Sequence, residues 1–182
     1  MALFKIPTRE DVSAANQAIF DKLKAGLGFV PNLYAYYSKN ENALGDYLTF
    51  QNRKSTLSNR EKEIVNLVVS EYNGCYYCQS AHTVIAGLNG FSNDEILQVR
   101  SGKAPFDGKL NALARFTLNT VSHKGKVSAE DRAAFLEAGY TEADLIDVAM
   151  VIGEKTISNY IHNLVDFEID FPKAQKLEAV EA

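Results

Sequence analysis

The 182-residue chain has only two cysteines, three histidines and no tryptophan. Two cysteines cannot staple a chain of this length, so a secreted disulfide scaffold is excluded. Basic charge is not in excess: 19 Lys and Arg stand against 23 Asp and Glu, a net charge of −4. A nucleic acid or an anionic membrane surface is therefore not an expected partner. Long hydrophobic runs are missing as well. The strongest, residues 64–69 and 145–152, are each interrupted by a polar residue and are far shorter than a membrane span. Residues 1–9 carry no apolar stretch of the kind a secretory signal needs. The expectation is a cytoplasmic protein in a reducing compartment. There a Cys-x-x-Cys pair is more often redox-active or metal-binding than structural.

What is present is enough apolar material for a core, 46% of residues, with nine Tyr and ten Phe supplying bulk. The length favours one domain over residues 1–182, with its core at about 22–172. The charged, Ala-rich end, 173–182, reads as a frayed tail or a partner-contacting arm. Periodicity is helical almost throughout. Ala15, Ile19, Phe20, Leu23 and Leu27 recur at three- and four-residue steps, and residues 42–54 continue the pattern with Leu44, Tyr47, Leu48 and Phe50. Four helix starts are written as a hydroxyl followed by an acid three residues on: Ser58 and Glu61, Ser92 and Glu95, Ser128 and Asp131, Thr141 and Asp144. Asp107 reads as the cap of a further helix, and Gly102, Gly125 and Gly139 fall at helix ends. No run alternates cleanly enough to argue a sheet. The expected fold is an all-α bundle of about seven to nine helices with short connections.

The informative segment is residues 71–82. With a helix starting at Gly74 or Cys75, Cys75 and Cys78 are neighbours at i,i+3, and Cys78 and His82 at i,i+4. All three side chains then share one face. The pair is within disulfide reach, near the positive end of the helix dipole that favours thiolate. His82 is placed to accept a proton from Cys78. A relay needs a carboxylate, for which Glu63 and Glu71 are the nearby candidates. On the preceding helix the apolar stripe is Ile64, Leu67, Val68 and Tyr72, and Glu63 borders it. Partial burial is expected to raise the pKa of Glu63 and suit it to proton transfer. Two other readings stay open. One is a pair of inert buried thiols. The other is a zinc site on Cys75, Cys78 and His82, with His123 or His162 as fourth ligand, although ligands on one helix face make a poor tetrahedron. Tyr76 and Tyr77, with Tyr72, are candidates to line a substrate pocket, or else to pack. Tyr34, Tyr36 and Tyr37 are expected to pack, across a subunit contact. His123, beside Lys124 at a helix end, reads as a dipole partner.

The run Leu57-Ser58-Asn59-Arg60-Glu61-Lys62-Glu63, followed by Asn73-Gly74-Cys75-Tyr76-Tyr77-Cys78 and Ala81-His82, resembles the AhpD-like alkylhydroperoxidases of the carboxymuconolactone decarboxylase superfamily, in particular its peroxidase-related branch. Gly28-Phe29-Val30-Pro31-Asn32, the segment from Asp107 to Leu113, and Ser158-Asn159-Tyr160 resemble the same branch. The resemblance implies an all-α AhpD-like bundle and a dithiol antioxidant peroxidase. It implies that Cys78 attacks a small organic hydroperoxide and that Cys75 resolves the sulfenic acid as a Cys75–Cys78 disulfide. His82 and Glu63 would relay the proton. No cofactor beyond that disulfide is implied. Electrons would come from a dithiol reductant such as a lipoylated or thioredoxin-like protein, and the protein would be a homo-oligomer. A dithiol/disulfide sensor or disulfide reductase is the alternative. Where well-studied members carry a second histidine before the second cysteine, this chain has Tyr77, and a phenol with pKa near ~10 is a poor base.

Overall fold

The computed structural model describes residues 4–177. Among these the regular structure is helical, with no strand. The order is α1 (Ala14–Leu27), α2 (Asn32–Tyr37), α3 (Ala43–Gln51), α4 (Asn59–Tyr72), α5 (Tyr76–Leu88), α6 (Asn93–Arg100), α7 (Gly108–Ser122), α8 (Ala129–Glu137) and α9 (Glu142–Val165), after a short 3-10 turn at Arg9–Asp11. Nine α-helices among the described residues agree with the all-α expectation. No helix among them is long and apolar enough to cross a membrane.

The helix starts follow the caps written in the sequence. Ser58 accepts from the Glu61 amide, and Glu61 accepts from the Ser58 amide, 2.9 Å away. Ser92 and Glu95 repeat this box, Thr141 and Asp144 exchange the same pair of bonds, and Ser128 and Asp107 cap α8 and α7. Each satisfies amides that the helix itself leaves unpaired, at about 1 kcal/mol apiece. Gly102 ends α6 at φ +80°, and a Cβ there would meet Leu118 Cδ2 at 2.5 Å.

The chain forms two compact units. The smaller comprises Met1–Lys54 and Ile161–Asp170. Here Tyr37 stacks on Tyr47 at 4.5 Å, Tyr36 packs on Phe167 at 5.7 Å, and the Asn32 amide donates to Asp170. Tyr36 and Tyr37 thus meet aromatic partners within their own chain. Their rings are the bulk from which this small unit builds its interior.

The larger unit comprises Ser55–Tyr160 and Phe171–Ala182, so α9 contributes residues 142–160 here and 161–165 to the smaller unit. Its centre is α4, against which α5, α6 and α7 pack. Burial therefore runs all round α4, from Glu63 to Ser70, instead of along one stripe. Tyr72, expected in that stripe, is half exposed at the helix end. Ile64, Val65, Leu67, Val68 and Val69 join Ile96, Leu113, Phe116, Phe135 and Val148 in one core. The described part of the expected tail is docked. Ala174 is buried, its amide donates to Ser80 Oγ, and its carbonyl accepts from Tyr76. The Gln175 carbonyl accepts from Arg100. The rest of that tail, 178–182, lies outside the described residues.

Candidate active site

A helix buried on every side has no room for unpartnered polar side chains. Yet α4 carries Glu63, Asn66 and Ser70 at i, i+3 and i+7, a polar seam inside the core of the larger unit. The partners of this seam make up the site.

The loop Asn73-Gly74 turns the chain from α4 into α5, which begins at Tyr76 with Cys75 as its N-cap, one or two residues later than the sequence predicts. Cys75 Sγ accepts from the Cys78 amide at 3.3 Å, and the two sulfurs are 2.6 Å apart, with Cys75 donating to Cys78. Both are free thiols and both are buried. His82, one turn after Cys78 and 7% exposed, places Nδ1 2.8 Å from Glu63 Oε2. Glu63 Oε1 accepts from Asn66 Nδ2 at 2.8 Å. The structure thus brings together Cys75, Cys78, His82 and Glu63. Glu71, the other candidate carboxylate, is engaged elsewhere, with Arg100 at 2.7 Å.

The electrostatics separate the two thiols. The hydrogen bond to Cys78 and burial push the Cys75 thiol up, far above the ordinary range. Burial pushes Cys78 up too. The hydrogen bond from Cys75, the nearby Lys155 charge and a hydrogen bond with Asn159 outweigh that, and hold Cys78 below the usual thiol value. Glu63 corrects the sequence reading. Burial does press its carboxyl upward, but His82, the Asn66 amide and the Lys155 charge press it down by more, so it is held below the usual carboxylate range. Paired with His82, it is a buried carboxylate hydrogen-bonded to an imidazole, the pairing also found in a catalytic triad.

Sequence reasoning missed the contribution of α9. Asn159, fully buried, accepts from Asn73 Nδ2 at 2.9 Å and reaches Ser70 Oγ at 3.4 Å. Glu154 and Lys155 are buried as well, 3.4 Å from one another. The signal was available: two adjacent charges, then Ser158 and Asn159 four residues on, repeat on a helical period inside an apolar helix.

The tyrosines divide. Tyr77 is 1% exposed and packs edge-on against Phe171 at 5.6 Å. Tyr76 gives its hydroxyl to the Ala174 carbonyl, and borders a surface cavity of about 330 Å³ with Glu71, Gln79, Arg100, Lys176 and Leu177. His162 lies in the smaller unit, its Nε2 3.1 Å from the Phe167 carbonyl. His123 caps α7, with Nδ1 3.0 Å from the Asn119 carbonyl, as a dipole partner should. Among the described residues, no group of three or more His, Cys, Asp or Glu side chains has the geometry to hold a metal ion.

Residues 39–118, which carry Glu63, Cys75, Cys78 and His82, match the carboxymuconolactone decarboxylase family. No curated protein sequence matches significantly. The fold is similar to that of a solved structure from Ralstonia eutropha described as an alkylhydroperoxidase AhpD core, an uncharacterized peroxidase-related protein (21% identity, TM-score 0.83, 92% of this chain and 91% of that one). It is similar also to an uncharacterized peroxidase-related protein from a Silicibacter species (22%, TM-score 0.82, 92% and 91%). The apo debrominase Bmp8 is a further match (19%, TM-score 0.75, 93% of each chain). The chain thus matches the carboxymuconolactone decarboxylase family over residues 39–118 and has the all-helical fold of the AhpD-like, peroxidase-related structures.

Proposed function

We propose that this protein is a thiol-dependent peroxidase that reduces a small organic hydroperoxide with the Cys75–Cys78 pair. The observation that carries the reading is the split between the two adjacent thiols. Cys78 is the easier of the two to ionise and Cys75 the harder, next to a buried His82–Glu63 pair.

The Cys78 thiolate attacks the terminal peroxide oxygen. An S–O bond forms and the O–O bond breaks, oxidising the sulfur to sulfenic acid and reducing the peroxide to an alcohol. His82, oriented by Glu63, hands a proton to the departing alkoxide. Cys75 then attacks the sulfenic sulfur, a disulfide forms and water leaves. A dithiol, on a lipoylated or thioredoxin-like protein, supplies two electrons and two protons to restore the pair. Tyr77, in place of a second histidine, is packed on Phe171, so a single imidazole carries the proton transfer.

A second reading, a dithiol/disulfide switch with little turnover, is favoured by the burial of both sulfurs. Consumption of cumene hydroperoxide under steady state with excess dithiol separates the two. Sustained turnover supports the peroxidase, whereas one equivalent consumed per chain supports the switch. Because a debrominase has this fold, 2,3,4-tribromopyrrole belongs in the same substrate panel. The expected homo-oligomer is part of the proposal. Its contact is assigned to the uncharged outer face of α9, where Ile146, Met150, Ile157 and Tyr160 are exposed.

A further inference from the structure

The peroxidase scheme leaves two buried charges beside the thiols unused. Glu154 and Lys155 are 5% and 3% exposed. Burial of an ion pair is weak evidence of a stabilising role, since a well-packed apolar pair of similar volume often does as well. Their position in the fold points elsewhere. Lys155 is one helical turn before Asn159, so the two share a side of α9. Asn159 fixes which side that is, since it is bonded to Asn73 in the loop that delivers Cys75 and to Ser70 on the polar seam of α4. This side of α9 is therefore aligned with the seam that holds Glu63.

We propose that Lys155 is a positioning residue for Cys78: its buried ammonium, delivered by α9 beside Asn159, stabilises the charged form of that sulfur and makes Cys78 rather than Cys75 the attacking thiol. It rests on Cys78 being the nucleophile of the proposed peroxidase. The groups around the sulfur make the need plain. From α4 comes the Glu63 carboxylate, from α9 the Glu154 carboxylate, and from α5 the Cys75 thiol and His82. Of these, the Glu154 carboxylate is set against a Cys78 thiolate, and a like charge so placed opposes ionisation. Lys155 counters both neighbouring anions, being attractive to Glu63 and to Cys78, while Glu154 opposes the thiolate. The imidazole is thereby left free to carry the proton instead of serving as the counter-charge.

The test reads the thiol directly and needs no peroxide. In a Cys75→Ser background, which leaves one thiol and a hydroxyl at the cap, the rate of iodoacetamide alkylation is followed against pH. Lys155→Met is expected to raise the midpoint by about one pH unit and to slow alkylation at neutral pH about tenfold. Lys155→Arg, which keeps the charge, is expected to stay within about twofold of the parent. Glu154→Gln is expected to move the midpoint the other way, which a purely structural pair would not do. A Lys155→Met profile superposing on that of the parent, with helicity and melting intact, overturns the proposal. If Lys155→Met does not fold, an unmoved Glu154→Gln midpoint overturns it. Failure of wild-type protein to consume hydroperoxide, with these shifts present, counts against the peroxidase and not against Lys155.

Discussion

His82 Nδ1 and Glu63 Oε2 are 2.8 Å apart, although the residues are 19 positions apart in sequence and belong to different helices. Neither side chain reaches water to any useful extent. The pair fixes the ring on the Cys78 side of α5, and Asn66 fixes the carboxylate in turn. Glu63→Gln keeps the shape and loses the charge, so hydroperoxide reduction is expected to fall about 10²–10⁴-fold, the range of a general acid–base contribution. A single-turnover assay with the pre-reduced protein measures it.

The same carboxylate makes stability depend on pH. The folded protein holds Glu63 below the ordinary carboxylate range, whereas the unfolded chain holds it near ~4.3. A depressed folded value stabilises the fold fully above that pH, and the contribution is lost as pH falls through the folded value. Glu63→Gln lacks this contribution. The gap in melting temperature between wild type and variant should therefore narrow as pH drops from about 6 toward 3.

The two cysteines should differ in kind. Cys78→Ser is expected to abolish consumption of an organic hydroperoxide in a single turnover. Cys75→Ser should still consume one equivalent but stop at the sulfenic acid, which dimedone traps as an adduct on Cys78. Equal consumption by wild type and the Cys78 variant would remove the peroxidase reading.

Arg100 anchors the C-terminal segment of the larger unit. It is 3% exposed and holds both the Glu71 carboxylate and the Gln175 carbonyl. Arg100→Ala frees that strand of chain and leaves Glu71 unpaired. Limited proteolysis is expected to cut the variant within residues 173–177 while the wild type resists, because cleavage follows local opening.

Gly102 offers a test of the fold alone. At φ +80°, with Leu118 Cδ2 2.5 Å from the place a Cβ would take, Gly102→Ala adds backbone strain and a clash. It is expected to destabilise the protein by more than about 1 kcal/mol, read from chemical denaturation.

Much of this was legible in one dimension, for a physical reason. Helix caps and i,i+3 or i,i+4 neighbours are local, so Ser58 with Glu61, Asp107, and Cys75 with Cys78 and His82 are readable from spacing alone. The helical period of the apolar residues likewise argued for helices and against a sheet. Burial direction is not local. Tyr72 fits the stripe of α4 by period but is half exposed, because α5, α6 and α7 surround the middle of that helix and not its end. Glu63 looked like a rim residue with a raised pKa. Only the packing of His82, Asn66 and Lys155 around it decided that it is enclosed and ionised. Lys155 and Asn159 come from a helix some eighty residues beyond the cysteines, and spacing says nothing about such distant partners. The sequence by itself determined which side chains would be near neighbours along a helix, among them Cys75, Cys78 and His82. The tertiary structure decided the charges that surround them, because the field at a buried sulfur is the sum over every helix that encloses it.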